Sequence, residues 1–108
     1  MLKSEFRNML RERKQVEMND AYGTEKYRKL ETELLSKNIS ETISFLEKEC
    51  TGDEFVWISE VFEEVAIETQ SREFIDCLWR VADKFPEECK EYNIAFFIKD
   101  ANDQIEDV

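Results

Sequence analysis

Residues that interrupt helices are scarce in this sequence, which has one proline and two glycines among 108 residues. Strand-rich sandwiches and barrels need frequent turns, and those turns are rich in glycine and proline. We therefore expect an all-α fold. The length and the 42% content of hydrophobic residues suffice for one modest core, so residues 1–108 are expected to form a single helical domain.

The spacing of hydrophobic residues predicts a compact bundle of about five antiparallel helices joined by short loops. The first helix is expected to run from Lys3 to about Met18. A long helix from Asp53 to Gln70 and the helix after it are expected to form a central helical hairpin. Pro86 fits the first turn of a short additional helix. Polar side chains that suit helix N-caps are Thr24, Ser40, Asp53, Ser71 and Asn93.

The segment from Asp53 to Gln70 has two distinct faces when its residues are placed about 100° apart around a helix axis. One broad face holds Ile58, Val61, Phe62, Val65, Ala66 and Thr69. The opposite side holds what we call the acidic row, in which Glu60, Glu64 and Glu68 are spaced four residues apart. Like charges at this spacing cost only about 0.2–0.5 kcal/mol per pair. The position of the large apolar Trp57 in the middle of these carboxylates requires an explanation.

Two other helices repeat this combination of an aromatic residue and carboxylates. Trp79 lies at the edge of an apolar face beside Asp76 and Asp83. Phe96 points away from the apolar stripe of Ile94, Phe97 and Ile98, toward Asp100, Asp103 and Asp107. Each aromatic could pack under a neighbouring helix, but their recurrence favours an interface built from aromatic anchors ringed by charge. The predicted partner-binding residues are Trp57, Glu60, Glu64, Glu68, Asp76, Trp79 and Asp83.

The net charge of −11 is distributed unevenly along the chain. Residues 1–38 hold nine Lys/Arg against seven Asp/Glu, and residues 39–108 hold six against nineteen. Phosphate binding needs Lys and Arg, so this balance disfavours direct contact with nucleic acid and favours a basic partner. The basic segment "RNMLRERK" is interrupted by Glu12 and is expected to be a solvated helix face rather than an RNA or lipid contact.

Several classes of protein are disfavoured by what the sequence lacks. Without histidine it has neither the commonest general base nor the commonest zinc ligand, and it contains no phosphate-binding or calcium-binding loop motif. We expect no enzyme activity, no metal and no cofactor. The three cysteines are widely spaced and are expected to be reduced. No apolar run approaches the roughly 20 residues of a membrane span, and the N-terminus does not look like a signal peptide, so a cytoplasmic protein is expected.

From Phe55 to Ala101 the sequence resembles small helical immunity proteins of bacterial contact-dependent growth inhibition and related polymorphic toxin systems. The resemblance is carried by "WISEVFEEVA", "TQSREFIDCL", "KFPEECKEYNI" and "FIKDA". It implies a cytoplasmic protein that binds the C-terminal toxin domain of a delivered effector, often a nuclease, and blocks it without doing chemistry. Residues 1–52 contain no segment that resembles this family. The resemblance also does not identify any individual residue of this chain as a binding residue.

The resemblance and the net negative charge both favour a basic partner protein. A nuclease toxin has a basic cleft that an acidic partner with aromatic anchors could occupy. The alternative is a helical adaptor or regulatory protein that acts through homodimer or other protein contacts. The sequence leaves open the identity and activity of the toxin, whether its active site is blocked, which acidic face binds, and whether the protein is a monomer or a homo-oligomer.

Overall fold

A computed structural model describes residues 1–17 and 20–106, which contain eight α-helices and no strand. The helices are α1 (Leu2–Arg13), α2 (Ala21–Ser36), α3 (Ile39–Lys48), α4 (Gly52–Ser59), α5 (Phe62–Thr69), α6 (Arg72–Ala82), α7 (Pro86–Tyr92) and α8 (Ile94–Asp103). The all-α class is confirmed, and the radius of gyration of 13.2 Å is that of a compact chain of this length. The expected number of about five helices is wrong.

The main source of this error is the segment predicted as one helix from Asp53 to Gln70, which is divided into α4 and α5. The amides of Glu60 and Val61 bond to carbonyls only three residues back, at 3.3 and 2.9 Å, and Val61 leaves helical geometry at φ −121° and ψ 13°. The chain changes direction there, and α4 packs against α7 and α8 whereas α5 packs against α2 and α8. Hydrophobic spacing continues across the break, so periodicity alone gives no sign of it.

Three predicted helix starts are also corrected, because an earlier polar residue supplies the cap in each case. The caps of α2, α3 and α4 are Asp20, Asn38 and Thr51 in place of Thr24, Ser40 and Asp53. At α4 the cap is a reciprocal capping box, in which Thr51 and Glu54 bond to each other's backbone amides. Helix α1 ends at Arg13, and the predicted end at Met18 lies outside the described residues.

One predicted cap and the predicted first-turn proline are in place, and Asn93 has a different role. Ser71 caps α6 by accepting a hydrogen bond from the Phe74 amide at 3.1 Å. Pro86 is the first residue of α7, as expected from its fixed φ and missing amide proton. Asn93 stands between α7 and α8 in a left-handed conformation, with φ 52° and ψ 45°, and its side chain makes no cap hydrogen bond. It joins the two helices as a turn residue, a conformation that asparagine tolerates.

The core is centred on aromatic rings from α4, α5 and α6. Phe62 is fully buried and its ring centroid lies 5.4 Å from that of Phe55 and 6.4 Å from that of Phe74. Helix α8 packs against both α5 and α6. The predicted hairpin, in which these two helices would pack directly on each other, is replaced by this three-helix arrangement. The buried residues of α8 are Ile94, Ile98 and Ala101. Phe97, predicted on the same stripe, is instead 39% exposed.

None of the helices described over residues 1–17 and 20–106 has the length and hydrophobicity needed to cross a membrane.

Candidate partner-binding surface

Trp57 lies half-buried against the core, beneath the C-terminal end of α1. The Arg13 guanidinium carbon is 5.1 Å from the Trp57 ring centroid, and the Lys14 ammonium is 5.8 Å from it. At these distances the two cations interact favourably with the face of the indole ring. The tryptophan among carboxylates therefore has an internal partner, namely the basic end of the first helix.

Two members of the acidic row are paired with cations of the N-terminal helices. Glu60 is 3.8 Å from Arg13 of α1, and Glu64 is 3.0 Å from Arg28 of α2. Glu68, the third member, is exposed and lines a groove between α2 and α5 beside the exposed Ile67. The break at residues 60–61 places Glu60 at the end of α4 and the other two on α5, so the row is not one continuous helix face.

Other cations of the basic segment "RNMLRERK" also pair with carboxylates of α4. Arg7 donates to the Glu54 carboxylate at 2.7 and 3.1 Å, and Lys14 lies 2.7 Å from Asp53. Burial alone would raise the pKa of Glu54, but the hydrogen bonds from Arg7 and Thr51 outweigh it and the pKa is lowered. The expected solvated basic face is thus an ion-pairing face, and part of the charge difference between the two ends of the chain is neutralised within the molecule.

Glu31 of α2 is a buried carboxylate that the sequence analysis did not single out. It is 3% exposed, and its Oε2 atom has no hydrogen-bond partner. Its pKa is raised to about 8, first by burial and then by the charge of Glu60, whereas Arg13 and Arg28 act in the opposite direction. The sequence did contain a signal, since Glu31 lies four residues from both Tyr27 and Leu35 and so shares a helix face with them.

The predicted residues of α6 form a compact exposed surface, which we call the α6 patch: Asp76, Trp79 and Asp83. Spacings of three and four residues place them on one face, and each side chain is exposed, Trp79 by 39%. Neither aspartate has an ion pair within the described part of the chain. Of the neighbouring cations at this helix end, Arg80 bonds to the Glu47 carboxylate of α3 and Lys84 to the Glu47 backbone carbonyl.

A second acidic and aromatic surface lies where α5 meets α8. Phe97 lines a cleft of about 250 Å³ together with Arg28, Ser59, Glu60, Glu63, Glu64 and Asp100. Phe96 is 53% exposed and its ring packs edge-on against Phe97 at 5.8 Å. Of the aspartates predicted near Phe96, Asp100 lines this cleft, Asp103 is exposed, and Asp107 lies outside the described residues.

Two observations on the described side chains concern the cysteine thiols and the grouping of possible metal ligands. Cys50 and Cys77 are buried free cysteines, and burial raises the pKa of each thiol to about 12, so neither is a reactive thiolate near neutral pH. Among residues 1–17 and 20–106, no group of three or more acidic or cysteine side chains is arranged to hold a metal ion.

Six of the seven predicted partner-binding residues fall into two groups. Trp57, Glu60 and Glu64 contact cations of α1 and α2, and Asp76, Trp79 and Asp83 present an exposed surface together. Glu68, the seventh, is exposed and lines the groove between α2 and α5 that Glu64 also lines. Comparison with family models, curated proteins and solved structures finds no match to this chain, so its function has to be argued from this geometry.

Proposed function

We propose that this protein is a non-enzymatic inhibitor that binds a basic protein, and that this partner is a toxin domain of the nuclease type neutralised by its cognate immunity protein. The observation that carries the proposal is the α6 patch, in which an exposed tryptophan stands between two carboxylates that form no salt bridge with a described cation. The resemblance of residues 55–101 to immunity proteins supports the same function.

In this proposal the carboxylates and the tryptophan of the α6 patch contribute to binding in different ways. Asp76 and Asp83 would attract a basic surface and orient it, which acts mainly on the association rate. Trp79 would supply the desolvated contact area at the centre, and tryptophan is among the residues most often found at interface hot spots. Inhibition would then follow from occlusion of the toxin's basic cleft or of a basic patch beside it.

The direct test is co-expression of this protein with the C-terminal domain of the protein encoded immediately upstream. Cell survival that depends on this protein, followed by recovery of a complex of the two, would support an immunity role. Equal growth of cells with and without it would show that the upstream domain is not a toxin that it neutralises. A helical adaptor or homodimer would then become the better proposal, testable by a mass that rises with concentration in light scattering.

Substitution of Trp79 tests the α6 patch itself. We expect Trp79→Ala to weaken the complex by about 2 kcal/mol, which is roughly thirtyfold in Kd, because a hot-spot aromatic is removed. Tyr22→Ala is the matched control, since Tyr22 is an aromatic residue that is 82% exposed on α2. Calorimetric titration with the recovered toxin domain measures both. Unchanged affinity in Trp79→Ala, with the fold intact by circular dichroism, would remove this residue from the interface.

Salt dependence tests the contribution of charge. We expect the association rate constant to fall at least about tenfold between 10 and 150 mM salt, because the Debye length shortens from about 30 to 8 Å over this range. Stopped-flow fluorescence of Trp79 would measure it, with Trp57→Phe removing the second tryptophan signal. A rate that does not change with salt would contradict electrostatic steering of a basic partner.

A further inference from the structure

We propose that the outward face of α8, with the cleft beside it, is a docking surface that receives an arginine side chain of a basic protein partner. The surface consists of Phe96 and Phe97 on α8 and of Glu63 and Asp100 on the two sides of the cleft. The identification of that partner as the toxin rests on the proposed function, whereas the chemistry of the surface can be tested without it.

The first step is that two adjacent aromatic side chains on this helix face remain exposed. Phe96 and Phe97 are 53% and 39% exposed, and their rings pack against each other in an edge-to-face arrangement at an interplanar angle of 78°. Adjacent exposed aromatic rings are unusual on an otherwise highly charged surface and commonly mark an interaction site. The fully buried residues of α8 are instead Ile94, Ile98 and Ala101.

The second step is the imbalance of charge in the cleft that Phe97 lines. Glu60 and Glu64 are paired with Arg13 and Arg28, at 3.8 and 3.0 Å. Glu63 and Asp100 are half-buried, and neither has an ion pair or a side-chain hydrogen bond in the described part of the chain. A cation brought into this cleft would therefore gain two acceptors.

The third step concerns size and the choice of cation. The cleft volume of about 250 Å³ lies below the roughly 300–1,000 Å³ typical of small-molecule sites, so it suits a single side chain. A guanidinium group can stack on a phenylalanine ring and still donate in its own plane to carboxylates, and it is less strongly hydrated than an ammonium group. Arginine therefore fits this combination better than lysine. A second copy of this chain fits poorly, because two chains of net charge −11 repel each other.

The experiment titrates the isotope-labelled protein with two probe peptides, acetyl-Gly-Arg-Gly-amide and acetyl-Gly-Lys-Gly-amide, and follows NMR signals. We expect the arginine peptide to shift the signals of residues 63, 97 and 100, and to bind about two- to fivefold more tightly than the lysine peptide. Phe97→Ala should remove this preference for arginine. The double variant Glu63→Gln/Asp100→Asn should remove most of the binding, and Tyr22→Ala on α2, which removes an exposed aromatic residue outside this surface, should change neither.

Each outcome separates this inference from the proposed function. Equal shifts with both peptides, shifts spread over other acidic surfaces, or a preference for arginine that survives Phe97→Ala would overturn the inference. Self-association through Phe96 and Phe97, seen as a mass that rises with concentration and that falls to that of a monomer in Phe97→Ala, would also overturn it. Specific peptide binding together with a failed co-expression test would keep the arginine-binding surface and discard the toxin as its partner.

Discussion

Glu31→Gln is expected to raise the free energy of unfolding by about 2–4 kcal/mol at pH 9, and by much less at pH 5. The carboxyl group has its pKa raised to about 8 in the folded protein, so the proton is held there long after the unfolded chain has released it. Between pH 4.5 and 8 the folded state therefore binds more protons than the unfolded state, and stability falls as the pH rises. Glutamine has the same shape and no charge to bury.

The cause of this effect is the balance of charges around Glu31. Arg13 and Glu60, and Arg28 and Glu64, form two ion pairs beside it, and these four charges cancel. The cluster is neutral when Glu31 is protonated and gains an uncompensated buried negative charge when it ionises. Oε2 has no hydrogen-bond partner in the described structure, so no hydrogen bond to this atom stabilises the ionised carboxylate.

Urea unfolding at a series of pH values from 5 to 9 measures the effect. The control is Glu33→Gln, which removes an exposed carboxylate from the same helix and should change stability by less than about 0.5 kcal/mol throughout. Parallel pH profiles for the wild-type protein and Glu31→Gln would mean that Glu31 is ionised in the folded state at neutral pH.

The sequence was sufficient to predict which helix faces enter the core, but not how the helices are arranged. Ile58, Val61, Phe62 and Val65 are all buried as the 3.6-residue period predicts. The break between α4 and α5 was missed because the same period continues across it, and a change of direction there depends on which helices each half packs against. Caps were misplaced for a similar reason, since several polar residues near each helix start could accept the same amide hydrogen bond.

Of the candidate site, only the α6 patch could be predicted from the sequence, because its residues are brought together by their spacing within one helix. The cations that contact Trp57 lie more than 40 positions away in the sequence. The hydrophobic periodicity of residues 53–70 therefore could not predict these contacts. The uneven charge of the chain was nevertheless a signal for this contact. An N-terminal segment rich in Lys and Arg, followed by a strongly acidic remainder, is suited to internal ion pairing as well as to a basic partner.

Glu54→Ala should lower the free energy of unfolding by about 2–3 kcal/mol, because two interactions of one carboxylate are lost together. The side chain is 9% exposed, receives two hydrogen bonds from Arg7 and closes the capping box of α4 by accepting from the Thr51 amide. Arg7 remains 38% exposed and can be rehydrated, so the loss should be smaller than for a fully buried pair.

Asp53→Ala is the matched control for this prediction, since it removes the adjacent carboxylate of the same helix turn. Asp53 pairs with Lys14 at 2.7 Å but is 65% exposed, and such pairs contribute about 0–1 kcal/mol. The pH dependence gives a second check. Because the pKa of Glu54 is lowered in the folded state, its stabilisation is present above pH 4.5 and is lost as the pH falls through the lowered pKa. The difference between wild type and Glu54→Ala in urea unfolding should therefore narrow in acid, and equal losses for the two variants at pH 7 would mean that the buried Glu54 interactions contribute no more than the exposed Asp53–Lys14 pair.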